Sequence, residues 1–336
     1  MAEPPPADHA VVRLAPAKLN LSLAVIGRRP DGYHALHSAM ALLALADQLT
    51  LTTATGEVDT LEVDGFDPGP PDANLVLRAI VETRAALWRV GHPGLAGPGS
   101  LPLPPLRVRL EKRIPVAAGL GGGSSDAAAA ISGALECWGA RLGPGDLLEL
   151  ALRLGSDVPF FFAGGPALVE GRGEQVTPVS PIRGDPPGVL LATPAVPVST
   201  GDVFAAVAAG LRGPAAGATR LASEHLATEL RHGLDGPALL LRAGVLASAN
   251  DLMAAAAAVT PGLRDFRRGL ARHLGRPVGQ SGSGPTCWVL YPSLGMAEEA
   301  ALRVTAATRE GTLPAPGDGL PFVVATTLAD PRPGPS

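Results

Sequence analysis

The sequence predicts an α+β fold in two lobes, and three observations predict it. The chain has 336 residues, where one domain usually takes ~100–200. Hydrophobic residues make up 46% of it, enough for real cores. Helical and strand-like periodicities are mixed along it without the regular βαβ rhythm of a doubly wound sheet. The densest mid-chain Pro/Gly stretch, Pro178–Gly188, divides the chain into domains 1–184 and 185–336.

The elements follow in order. Ala10–Val25 alternates roughly apolar and polar and predicts a strand, ending in a turn at Gly27–Gly32. Leu49–Val63 carries two Thr/Leu/Val-rich strands separated by Gly56, and Phe66–Ala73 is a loop. Asn74–Val90 places Leu, Val, Ile and Trp at helical spacing. A Pro/Gly loop, Gly91–Pro105, precedes a strand at Leu106–Ile114, then a glycine-rich loop and an Ala-rich helix from Ser124 to about Gly139. Asp146–Leu154 predicts a helix, and Ala167–Val169 and Gln175–Val179 predict short strands. Beyond the boundary come a strand (Val189–Val196), a helix (Gly201–Leu211), one or two helices within Leu239–Val259 and another at Leu263–Leu274. A loop at Gly279–Pro285, a strand at Cys287–Tyr291, a helix and a last strand at Pro321–Leu328 complete the chain. The tail Ala329–Ser336 is expected to be disordered.

Composition excludes several classes. The net charge of −4 lacks the basic stripe of a nucleic-acid binder. The start has no basic segment followed by an apolar one, so no secretory signal is expected. No apolar run approaches the ~18 residues of a membrane span. Two distant cysteines, Cys137 and Cys287, make no disulfide framework, and the seven histidines include no metal-binding pair. A cytoplasmic protein is expected. Of the 27 basic residues only Lys18 and Lys112 are lysines, and the only asparagines are Asn20, Asn74 and Asn250. Arg replaces Lys freely on surfaces but not where a compact ammonium is needed, so these lysines are site candidates.

Four segments carry chemistry. Pro115–Ala128, PVAAGLGGGSSDAA, follows a strand and opens a helix. Its glycines let backbone N–H groups converge on a phosphate, and the helix N-terminus adds positive dipole. It is neither a Walker loop nor a clean dinucleotide fingerprint; the alternative is a flexible linker or tight turn, but linkers do not usually sit between an apolar strand and an Ala-rich helix, which favours phosphate binding. Ala15–Leu23, APAKLNLSL, holds Lys18 in an apolar strand, either pointing inward with a partner or guarding a sheet edge. Leu154–Gly165 holds Asp157, alternatively a helix N-cap. Gly279–Trp288, GQSGSGPTCW, is alternatively a hairpin turn.

Taken together with GRRPDGYHALHSAM (Gly27–Met40), these segments in this order resemble the GHMP kinases, from about Val11 to Leu290. The DGYH segment, Asp31–His34, narrows the resemblance to the branch acting on a CDP-linked methylerythritol in the non-mevalonate isoprenoid route. The resemblance implies a ribosomal-S5-like N-terminal lobe and a ferredoxin-like C-terminal lobe. It implies transfer of the γ-phosphate of ATP, with Mg²⁺, to the substrate 2-hydroxyl. Mapped by motif, the ATP phosphates fall to Pro115, Val116, Ala117, Ala118, Gly119, Leu120, Gly121, Gly122, Gly123, Ser124 and Ser125, with Asn74 near the adenosine. Tyr33 and His34 face the cytidine end, Phe204 stacks on cytosine from the opposite face, and Asn20 meets the methylerythritol portion. Lys18 and Asp157 form the catalytic pair, Asp157 as base and Lys18 as its cation. The metal ligands are not assigned. Ala117, Ala118 and Ser156 depart from the usual pattern without removing a donor or acceptor. The expected partners are ATP and the small-molecule substrate, with no nucleic acid or membrane, in a monomer or homodimer. The alternatives are another kinase of the family, of homoserine or mevalonate type, or a non-catalytic nucleotide-binding member.

Overall fold

The structure, a computed structural model, describes residues 10–70, 74–92, 103–211 and 216–329. Two compact units emerge, each assembled from several stretches of chain: Met1–Ala17, Ala46–Val116 and Gly121–Phe162 in one, and Lys18–Leu45, Ala117–Leu120 and Ala163–Ser336 in the other. Two long strands, β1 (Val11–Arg28) and β2 (His34–Thr53), pass from one to the other and pair together.

In the first unit the end of β2 pairs antiparallel with β4 (Leu106–Lys112), Leu51 opposite Val108, and β3 (Thr60–Gly65) runs parallel to β4. Helices α1 (Leu75–Arg89), α2 (Gly122–Cys137) and α3 (Pro144–Leu154) bury their apolar faces together with this sheet, and a 3-10 turn follows at Val158–Phe162. The shared core contains Leu49, Leu51, Ile80, Leu87, Val108, Leu110, Ile131 and Leu150. Helix α1 begins where expected because the Asn74 side chain caps it, accepting from the Val76 N–H at 2.8 Å.

In the second unit the start of β2 pairs antiparallel with β5 (Ala167–Gly171), which pairs with β6 (Gln175–Pro178). A separate antiparallel sheet has the order β10 (Phe322–Thr327), β7 (Gly188–Thr193), β9 (Cys287–Tyr291), β8 (Gly279–Gln280). Helices α4 (Thr200–Ala208), α5 (Ala216–Arg231), α6 (Gly236–Leu241), α7 (Ala243–Ser248), α8 (Met253–Val259), α9 (Leu263–Leu274) and α10 (Leu294–Arg309) surround these strands. Phe266 and Leu270 of α9 and Val304 of α10 share a core with Leu190 and Val289.

The structure departs from the expected elements in four places. Residues 34–48 are strand, although their continuous Ala/Leu run shows no alternation; both faces are buried over Ser38–Leu42, so no polar face marks the period. Helix α5 occupies a stretch with no predicted element. Leu239–Val259 forms three short helices rather than one or two, and α2 starts at Gly122 rather than Ser124. Residues 71–73 and 93–102 of the two predicted Pro/Gly loops, and 330–336 of the tail, lie outside the described residues. Among the described residues no helix is long and apolar enough to cross a membrane.

Candidate active site

Strand β1 sets the first part of the site through its period of two. From Ala17 to Val25 both faces are buried: Leu19, Leu21 and Leu23 project to one side, and Lys18, Asn20 and Ser22 to the other. Lys18, 4% exposed, is therefore an interior lysine rather than an edge guard, and its ammonium donates to Asn20 Oδ1. Asn20 in turn donates through Nδ2 to Ser38 Oγ on β2 at 2.8 Å. The row ends at Ser22, whose hydroxyl meets Ser223 of α5 at 2.8 Å; Ser223 also meets His37 Nδ1 at 2.8 Å.

The segment GQSGSGP supplies strand β8 and the loop of the β8–β9 hairpin, and that loop lies against residues 117–120 of the first glycine loop. Ser281 Oγ donates to the Gly119 carbonyl at 2.9 Å and accepts from the Asn20 N–H at 3.4 Å. Thr286 Oγ1 donates to the Ala118 carbonyl at 2.7 Å, and the Lys18 N–H donates to the Leu120 carbonyl at 2.8 Å. Asn250 holds the hairpin loop from its other side, donating to the carbonyls of Gln280 and Gly282 at 3.0 and 2.9 Å.

In the first unit, residues 121–125 open α2. Gly121, with φ +69°, is the left-handed N-cap, a conformation glycine adopts without steric cost. Gly123 is exposed, Ser124 is half-buried and Ser125 is buried, its hydroxyl making no hydrogen bond among the described residues. Beneath this turn lies a buried ionic cluster: Lys112 Nζ contacts Asp47 Oδ2 and lies 2.9 Å from Asp126 Oδ2. Burial pushes the Asp126 carboxyl up to about 7, against the downward pull of the Lys112 ammonium. Asp157, half-buried, directly precedes the 3-10 turn Val158–Phe162.

In the second unit His34 and Phe204 stack, with centroids 5.2 Å apart and planes at 23°. Tyr33 is half exposed and lies under the Arg172 guanidinium, 5.2 Å from its ring centre. The two rings thus stack on each other, one on the strand β2 and one on helix α4.

The GHMP kinases N terminal domain family matches residues 74–165. A 4-diphosphocytidyl-2-C-methyl-D-erythritol kinase of Deinococcus radiodurans is 39% identical over 89% of this chain and 89% of its own length. The chain belongs to the 4-diphosphocytidyl-2-C-methyl-D-erythritol kinase family. The relative of that name from Symbiobacterium thermophilum is 45% identical, but the match spans 56% of this chain and less than two thirds, 61%, of that protein. A crystal structure of 4-(cytidine 5'-diphospho)-2C-methyl-D-erythritol kinase, 32% identical, superposes with a TM-score of 0.65 over 94% of this chain and 99% of that one.

The α+β expectation holds, with two separate sheets and helices packed on them. The structure brings Lys18 and Asn20 together, and His34 and Phe204. Sequence reasoning did not single out Asp47 and Asp126, which meet Lys112, or Ser281, which meets Gly119, and gave Asn250 no role. For Asn250 and Lys112 the signal was present in their rarity. For Asp47, at the end of an apolar run, there was none.

Proposed function

We propose that the chain transfers the γ-phosphoryl group of ATP to the 2-hydroxyl of 4-diphosphocytidyl-2-C-methyl-D-erythritol, in the cytoplasm. The observation that carries this is the near full-length likeness to kinases of that name, joined to a glycine loop that opens a 16-residue helix. Residues 115–125 cradle the ATP phosphates by backbone N–H groups and helix dipole, and Asn74, whose oxygen is engaged in capping, lies toward the adenosine. Tyr33, His34 and Phe204 receive the cytidine end, and Asn20 the methylerythritol portion. Residues 1–184 form the ATP-binding domain and 185–336 the C-terminal domain.

In the transfer, the hydroxyl oxygen bonds to the γ-phosphorus as the bond to the ADP oxygen breaks. The hydroxyl proton passes to Asp157, while Lys18 offsets the charge gathering on the phosphoryl oxygens. Magnesium in such reactions keeps most of its shell as water and phosphate oxygen, with few protein ligands. The buried Ser125 hydroxyl, without a hydrogen-bond partner among the described residues, is the protein oxygen that fits that pattern. When bound, the ion neutralises phosphate charge.

The test is ADP release with ATP and a panel of alcohols: the CDP-linked methylerythritol, homoserine and mevalonate. Only the first should turn over, and Asp157→Asn should lower kcat by about 10²–10⁴-fold, the span for loss of a general base, with KM nearly unchanged. A folded Asp157→Asn protein with near-normal kcat would remove the base assignment. Turnover of homoserine or mevalonate instead would favour the other GHMP kinases.

A further inference from the structure

The buried cluster Asp47–Lys112–Asp126 closes the base of the glycine loop. Asp47 sits on β2 beside the point where β4 ends, and its Oδ1 accepts from the Ile114 N–H at 2.8 Å as well as from Arg113. It thus fixes the chain as it leaves the sheet and enters the loop. Asp126 lies in the second turn of α2, where the chain leaves the loop. Lys112, 4% exposed, joins the two carboxylates, and so ties loop entry to loop exit. The fit is tight as well as ionic. A Cβ on Gly122, the first residue of α2, would fall 2.9 Å from Lys112 Nζ and 3.0 Å from Ile114 Cγ2. The helix start therefore rests directly on the ammonium.

All three charged side chains are at least nine-tenths buried, and the ATP-binding role proposed for residues 115–125 gives them no contact with nucleotide. Hydrophobic residues of similar volume commonly serve at least as well for stability as a buried ion pair, so a plain structural role is a poor reason for such a cluster. Its value lies in direction: two charge-assisted contacts hold one loop in one geometry.

We propose that Lys112, clamped by Asp47 and Asp126, is a positioning residue for the nucleotide, setting the spacing of the two ends of the glycine loop and through it the affinity for ATP. This rests on the phosphate-binding reading of that loop.

Asp126→Ala cuts the tie to α2 yet leaves Lys112 neutralised by Asp47, so no unpaired charge is buried. Its KM for ATP should rise on the order of 10–100-fold, the range for loss of a group that orients a ligand-contacting one. The KM for the alcohol and kcat should stay within about twofold, because the loss falls on ATP binding before transfer. Asp126→Asn, whose amide oxygen still accepts from Lys112, should show a smaller rise in the same constant. Calorimetry with a non-hydrolysable ATP analogue on Gly123→Val, an exposed loop position, runs in parallel. Weakened binding in Gly123→Val with an unchanged ATP constant in Asp126→Ala would overturn the positioning role while leaving the loop reading intact. Should Asp126→Ala not fold, an Asp126→Asn protein with lowered Tm and unaltered KM for ATP would overturn it equally. Unaltered nucleotide binding in Gly123→Val would overturn the loop reading itself, and the positioning role with it.

Discussion

The two glycine-rich loops look alike in sequence and differ in what their glycines are for. In SGSGP, Gly284 is glycine because another backbone is in the way: a Cβ there would lie 2.2 Å from the Gly119 nitrogen and 2.3 Å from the Ala118 carbonyl carbon. Gly119 is the other half of the same contact, its notional Cβ 2.3 Å from the Ser281 carbonyl oxygen, at φ +82°. At the second residue of α2 the situation is reversed. Gly123 would meet only the tip of Leu75, at 3.5 Å, and is exposed. Gly284, Gly119 and, at the helix start, Gly122 are consumed by protein packing, whereas Gly123 leaves backbone uncovered. A glycine count therefore says little about ligand binding until each Cβ is placed.

The contrast can be broken in three ways. Gly284→Ala should have the largest effect on stability, lowering it by about 1–3 kcal/mol or more, since overpacking here meets backbone rather than a movable side chain. Urea unfolding would check this, and a wild-type midpoint would mean that the two loops can part without cost. Gly123→Val should leave that midpoint within about 0.5 kcal/mol while weakening an ATP analogue at least about tenfold, worth ~1.4 kcal/mol, by blocking phosphate approach. Loss of stability without loss of affinity would make Gly123 a packing glycine like Gly284. The smallest effect concerns two thiols, one in each region. Burial pushes Cys137, at the end of α2, up to about 11, and Cys287, on β9 just after the hairpin loop, up to about 12. Both stay protonated at neutral pH, so an aromatic disulfide reagent should label neither in the folded protein. Gly284→Ala should expose Cys287 before Cys137, and Gly123→Val neither. Rapid native labelling of Cys287 would contradict the tight packing of that hairpin.

Much of this was legible in the sequence, and the exceptions share a cause. Helix α1 announced itself by apolar spacing and an Asn cap, and the strand–glycine loop–helix order at 106–137 was plain. Helix α5 escaped because its buried stripe, Thr219, Ser223, Leu226, Ala227 and Leu230, includes two hydroxyl residues that read as surface. Ser223 is buried because His37 and Ser22, distant in sequence, satisfy it.

The sequence by itself determined the local elements with clear period or punctuation, the family, and a short set of chemically unusual residues. Local rules act over a few positions, and motifs keep their spacing whatever surrounds them. Only the tertiary structure decided that 34–48 is strand. Its Ala/Leu run suits a helix on propensity, and partners on β4 and β5 override that preference. Only the tertiary structure decided, too, that Lys112 belongs between Asp47 and Asp126, 65 residues away along the chain in one direction and 14 in the other. A buried charge is tolerated where its counter-charges meet it, and no local pattern records where that will be.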